Sequence, residues 1–253
     1  MKNQQPNKTI KNKKKMSSFT NINESIRRNS STLSSIVYNH NQSSFNMGNH
    51  VVVNEKISTY ISSLSSDASE NSSNGKVIVI LKDSSLTADR GCLYQEYKSL
   101  EEIYIQQGYT VIIPNISLNN VSASDIKQFL KYIRVQFPND FISLLSADNC
   151  CNILLESING YDVLVNCLYF INPIKLKLDA LSQVNNDIPV MIHFNNDKVP
   201  MSIRYVIESK LKELNFKYQI IVDNLYNFEG NENIAFERVC LEQLYWFEKW
   251  ANC

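Results

Sequence analysis

Glycine is scarce in this chain, with six in 253 residues, and histidine is scarcer still, with three. So few glycines leave no Gly-x-Gly-x-x-Gly turn and no Walker-type loop, which excludes nucleotide chemistry built on a glycine-rich phosphate cradle. No apolar run approaches the ~18 residues that a membrane span needs. The basic residues at the start are followed by no apolar stretch, which argues against a secretory signal, and the segment is too Lys- and Asn-rich for an Arg-rich amphipathic presequence. The six cysteines (Cys92, Cys150, Cys151, Cys167, Cys240 and Cys253) show no paired Cys-x-x-Cys spacing. Several sit in apolar runs, where a free thiol behaves as a small hydrophobe, so a reducing cytoplasmic compartment is expected.

Charge is present in balance, 25 basic against 25 acidic residues, but it is unevenly placed. Residues 1–50 hold eight Lys and Arg against Glu24 alone, a net of +7, so the remainder carries −7. Residues 1–47 are rich in Asn, Ser and Lys and poor in large apolar side chains. Such a segment cannot bury enough surface to offset its ordering entropy, and a disordered basic tail is expected ahead of a folded body over 48–253. Within the tail, Lys11-Asn12-Lys13-Lys14-Lys15 admits a nuclear address or a nucleic-acid patch, although a solvated charge run is the simpler reading. Arg27-Arg28-Asn29-Ser30 fits a basophilic kinase site; phosphate on Ser30 would lower the tail's positive charge and could release an acidic partner protein.

From Val51 onward the pattern alternates. Val51–Val53 and Ile57–Leu64 suggest a hairpin, closed by a polar loop from Ser65 to Gly75. Val77–Leu81 is a continuous apolar run, as in a strand buried on both faces. Leu93, Tyr97, Leu100 and Tyr104 repeat at helical spacing up to Gly108. Tyr109–Ile113 reads as a strand closed by Pro114. Ser122 with Asp125 forms a capping-box pattern before the stripe Ile126, Phe129, Leu130, Ile133. Phe141–Leu145, Val163–Leu168, Val190–Phe194 and Tyr218–Val222 read as further strands, and Cys150–Ile158 as a short helix. Ile203, Val206, Ile207, Leu211 and Leu214 should share one helical face, and Phe236, Cys240, Leu244 and Phe247 another. Strands separated by single helices predict an α/β class: a mostly parallel sheet with helices on both faces.

Several segments then fall in a familiar order. Lys82-Asp83-Ser84-Ser85-Leu86 follows the first core strand. Gln107-Gly108-Tyr109-Thr110-Val111-Ile112-Ile113-Pro114 looks like a Gly-Tyr-x-Val-x-x-Pro turn. Ile188–Phe194 leads to Asp197-Lys198-Val199-Pro200, and Phe228-Glu229-Gly230 precedes a helix through Trp246-Phe247. Over roughly residues 50 to 250 this resembles the dienelactone hydrolases, a family with the α/β-hydrolase fold. The resemblance implies a nucleophile after the strand from Phe141, an acid after the strand ending at Phe194, and a histidine near residue 226.

Tested position by position, that machinery is degraded. The family's elbow, Gly-x-Cys/Ser-x-Gly-Gly, needs small flanking residues to admit the next helix. Here it reads Ser146-Ala147-Asp148-Asn149-Cys150-Cys151, with Asp148 in the nucleophile's place. Some α/β hydrolases do use an aspartate to form an ester intermediate; the plainer alternative is that Asp148 caps the next helix. The family's histidine position aligns with Tyr226, whose unperturbed pKa of about 10 makes it a poor base. Asp197 matches the family's acid but has no histidine to orient. Asp83 aligns with the family's glutamate, and a solvated loop carboxylate is the simpler account of it. His193 reads as a packed, hydrogen-bonded side chain rather than a catalytic one. Cys150 and Cys151 would fit as nucleophiles only in a shifted register with bulky flanks, and vicinal cysteines with no nearby ligands are a poor zinc site. The expectation is a catalytically silent α/β-hydrolase-like protein needing no cofactor or metal and acting as a binder or scaffold. Its partners would be a small molecule at the former active site or a protein at the tail, with nucleic acid and membrane not expected. The rival is an active hydrolase of small esters or lactones using Asp148, and a third reading places the function in the tail.

Overall fold

The computed structural model describes residues 49–54, 56–63, 75–83, 100–160, 162–173, 175–195, 199–223 and 232–252. The expected tail, with Ser30, and the polar loop ahead of Gly75 lie outside these residues. The hairpin is present as β1 (Asn49–Asn54) and β2 (Ile57–Ser62), paired antiparallel. β3 (Lys76–Leu81) and β4 (Thr110–Asn115) follow, then β5 (Phe141–Ala147), β6 (Cys167–Ile171), β7 (Val190–Asn195) and β8 (Tyr218–Asp223). They form one sheet in the order β1-β2-β4-β3-β5-β6-β7-β8. From β4 through β8 every neighbouring pair is parallel, while β2 meets β4 antiparallel.

The helices are α1 (described over residues 100–106), α2 (Ala123–Gln136), α3 (Cys150–Ser157), the short α4 (Leu178–Leu181), α5 (Met201–Glu213) and α6 (Glu232–Ala251). α1 stops where glycine was expected to stop it. Gly108 has φ 83°, and the amides of Gly108 and Tyr109 close on the carbonyls of Ile105 and Tyr104 at 2.9 and 3.0 Å. α2 starts on a complete capping box. The Asp125 amide donates to Ser122 Oγ at 3.3 Å, and the Ser122 amide donates to Asp125 Oδ2 at 2.9 Å.

Alternation along the strands divides the core into two layers. One face of the sheet, with Val79, Ile142, Leu144, Phe170 and Ile192, packs against α2, α3 and α5 through Phe129, Leu154 and Leu211. The opposite face carries Tyr169 and is covered by α1 and α6. Phe247 of α6 lies 6.0 Å from the Tyr169 ring and 6.3 Å from the Tyr104 ring, and Trp246 Nε1 donates to the Leu168 carbonyl at 3.3 Å. Glu248 pins the same helix by accepting from Tyr109 and from Lys76, both at 2.6 Å.

Three details differ from the sequence pattern. β6 begins at Cys167 rather than Val163, because Asn166 takes over the start of the ladder. Its Oδ1 accepts from the Ile142 amide at 2.9 Å and from Arg134 at 2.7 Å, and regular pairing starts only at Ser143 with Cys167. Pro114 lies inside β4 rather than closing it; pairing with β3 has ended at Ile112, so its missing N–H falls beyond that ladder. Val206 is 55% exposed, while Ile207 and Leu211 are buried. Val206 lies about 100° around the helix from Ile207, off the face that meets the sheet.

Removing the capping hydroxyl by Ser122→Ala should cost about 1 kcal/mol in urea unfolding with an unchanged m-value. Bonds from Ser122 and Lys56 hold the Asp125 carboxyl down to about 2. A group with a depressed folded pKa contributes fully above its unfolded value and loses that contribution as the pH falls through the folded one. Asp125→Asn should therefore destabilise at neutral pH, with the difference from wild type fading between about pH 4 and pH 2, which paired unfolding curves would check.

Candidate active site

The site is built on the reversal that joins β5 to α3. Asp148 follows the last residue of β5 with φ 49°, a left-handed conformation that costs an ordinary L-residue roughly 1–2 kcal/mol and Asp somewhat less. Its amide is held by the Ile171 carbonyl at the end of β6, 2.9 Å away, and its carbonyl accepts from Cys151 at 3.3 Å in the first turn of α3. The N-cap of α3 is Asn149, already helical at φ −70°, and it makes no side-chain capping bond. The reversal therefore has the form of an elbow at Asp148, rather than an Asp148-capped helix start.

The spacing of small residues is explained by this geometry. Ser146, Cys150 and Cys151 are 0%, 2% and 0% exposed, and Cys151 Sγ reaches back to the Ser146 carbonyl at 3.4 Å. Larger side chains at these three places would push α3 off the sheet. Both thiols are held in the neutral form. Burial first, and then the charges of Asp83 and Asp148, push Cys150 up to about 12, and burial drives Cys151 well above its ordinary value. Thiolate is the reactive form, and these surroundings suppress it.

Asp83 belongs to the same end of the sheet. β3 and β5 are neighbours with Leu81 opposite Ser146, so Asp83 and Asp148 each stand two residues beyond a matched pair. Asp83 bridges to Ile116 and accepts from the Leu118 amide at 3.3 Å, so the carboxylate is tied to the segment after β4 and is not simply solvated. Nothing in the sequence pattern signalled that bond, because its donor is a backbone amide 35 residues away.

The end of β7 is reinforced by a second reversal. Asn172, with φ 47°, donates its amide to the His193 carbonyl at 2.8 Å and accepts from the Asn195 amide at 2.6 Å. His193 itself is buried, with Nδ1 3.1 Å from the Tyr169 hydroxyl. Asp197 and Tyr226 lie outside the described residues; the strands leading to them end at Asn195 and Asp223. Among the described residues, no group of His, Cys, Asp and Glu is arranged to hold a metal ion.

This strand order, with a left-handed elbow after the fifth strand, is similar to the α/β-hydrolase fold that dienelactone hydrolases share. Solved structures agree. A dienelactone hydrolase from Anabaena variabilis superposes with a TM-score of 0.61 at 12% identity, covering 81% of this chain and 97% of its own. An α-beta serine hydrolase homologue from Coxiella burnetii gives 0.56 at 14% identity, covering 81% and 100%. Est1E from Butyrivibrio proteoclasticus gives 0.57 at 8% identity, covering 80% and 100%. No protein-family model and no curated protein matches the sequence.

The elbow makes its own prediction. Asp148→Gly should leave stability unchanged or raise it by up to about 1 kcal/mol, while Asp148→Ala should lower it by about 1 kcal/mol; the opposite order in urea melts would contradict a left-handed turn. Iodoacetamide at neutral pH should leave Cys150 and Cys151 unlabelled in the native protein and label both in urea, as read by peptide mass spectrometry.

Proposed function

We propose that this chain keeps the hydrolase architecture without the hydrolase reaction and uses the elbow end of the sheet, with Asp148, Asp197 and Tyr226, to bind a small molecule. The supporting observation is where the two described histidines stand. The sequence has no histidine after His193. His193 is enclosed within the fold beside Tyr169, and His50 lies on β1, four strand positions and roughly 19 Å from β5. With aspartate at the elbow, a base is needed to take a proton from the water that cleaves the covalent intermediate, and neutral Tyr226 is a weak substitute. The basic tail of residues 1–47 is a second contact region in this reading, addressed to a protein partner and modulated at Ser30. A cytoplasmic protein fits this picture; among the described residues no helix is long and apolar enough to cross a membrane.

One observation favours a rival reading, since Asp148 sits at φ 49° where a nucleophile would stand. In that case a carboxylate oxygen attacks the acyl carbon of the ester or lactone and expels the alkoxide, which takes up a proton, to leave a mixed anhydride on Asp148; water then cleaves the anhydride while a base accepts its proton. The two readings separate in one assay. A panel of short esters and lactones should show no product release above the buffer blank for wild type or for Asp148→Asn, a variant that tolerates the turn. Turnover by the wild type that disappears in Asp148→Asn would establish the rival.

A further inference from the structure

The two edges of the sheet are finished differently. At one edge, the pairing of β1 with β2 is irregular between Val52 and Asn54, the kind of bulge that turns an edge strand away from a neighbouring sheet. At the other, β8 pairs with β7 in unbroken register from Val190 with Tyr218 to Asn195 with Asp223, and it contains no proline or glycine. The Val190 amide donates to the Lys217 carbonyl at 2.9 Å, so the backbone groups of Lys217, and by alternation of Gln219 and Ile221, turn toward β7. Those of Tyr218, Ile220 and Val222 turn outward, and among the described residues no strand pairs with them.

The ground beside this edge is apolar. Glu208 of α5 lies 3.4 Å from the Tyr218 hydroxyl, which directs the stripe Met201, Tyr205, Glu208, Lys212 toward β8. On that flank Met201, Tyr205 and Val222 are 61%, 56% and 46% exposed. A long, regular edge strand next to exposed apolar side chains is a template for strand addition.

We propose that a second copy of this chain docks here, antiparallel, across a two-fold axis through Ile220, so that the sheet runs on from one copy into the other. Such an axis, perpendicular to the sheet, keeps both α5 layers on one side and sets residues of equal parity opposite each other. Centred on Ile220, it pairs Tyr218 with Val222 twice and Ile220 with itself, so each outward-facing residue of the strand gains a partner. The same register sets Lys217 of each copy opposite Asp223 of the other. An axis through Gln219 would put Lys217 against Ile221, and one through Ile221 would carry it past the end of the partner strand. Backbone pairing and charge thus select one register, and the flanking Met201 and Tyr205 lie where the second copy would cover them.

Sedimentation of the full chain, together with hydrogen exchange of the peptide spanning 217–223, tests this. The expected result is a dimer in which that peptide exchanges more slowly as concentration rises. Lys217→Asp and Asp223→Lys should each weaken the dimer about tenfold, and the double swap should restore it. Lys217 also lies over the Trp250 ring at 5.9 Å, so the Asp223→Lys result and the restored double variant separate docking from a local loss of packing. A monomer at all concentrations overturns the proposal, as does a dimer indifferent to the charge swaps. A monomer with slow, concentration-independent exchange of the peptide would mean that another segment of the same chain covers the edge, and overturns it equally.

Discussion

The left-handed turn at Asp148 is the constraint from which the rest of the candidate site follows. To reverse from β5 into α3 within two residues, the chain must place one residue at φ 49° and leave only small side chains where helix meets strand. Ser146, Cys150 and Cys151 meet that requirement without glycine. The Ile171 carbonyl, fixed in β6, holds the amide of the strained residue. Because α3 then packs flat on the sheet beside α2, the turn also brings Asp148 and Asp83 to the same end, two residues beyond matched positions in neighbouring strands. Aspartate suits such a turn, since its short polar side chain tolerates left-handed backbone better than most. The geometry therefore survives whether or not the carboxylate reacts with anything.

The opposite face of the sheet accounts for the burial of His193. α1 and α6 close over it through Tyr104, Trp246 and Phe247, and His193 is buried beside Tyr169, which shares its aromatic packing with Phe247. An imidazole so enclosed contributes to packing, and its hydrogen bond to Tyr169 joins β7 to β6. The structure thus places a left-handed acidic elbow at the end of the sheet and encloses His193 in its interior.

Much of the architecture was legible in the sequence because it rests on local signals. Continuous apolar runs marked β3 and β7, Gly108 marked the end of α1, and Ser122 with Asp125 marked the start of α2, each requiring only neighbours in sequence. The start of β6 was not legible, because the side chain of Asn166 replaces ladder bonds to a strand 24 residues earlier. Val206 misled because an apolar residue at the margin of a helical stripe does not reveal which side of the helix meets the sheet. At the site, the small residues at 146, 150 and 151 gave away the elbow, whereas capping propensity alone did not reveal that the helix starts from Asn149. The attachment of Asp83 to Leu118 depends on a tertiary contact that no local pattern carries.

The account rests on the proposal that no imidazole serves Asp148 as a base, and the titration of the three histidine rings tests that most directly. Followed by two-dimensional NMR of the full-length protein, the rings of His40, His50 and His193 should give the same titration curves in wild type and in Asp148→Asn. A ring whose pKa falls by about one unit when the carboxylate is neutralised would be its partner, and the reading of a hydrolase without its base would be wrong.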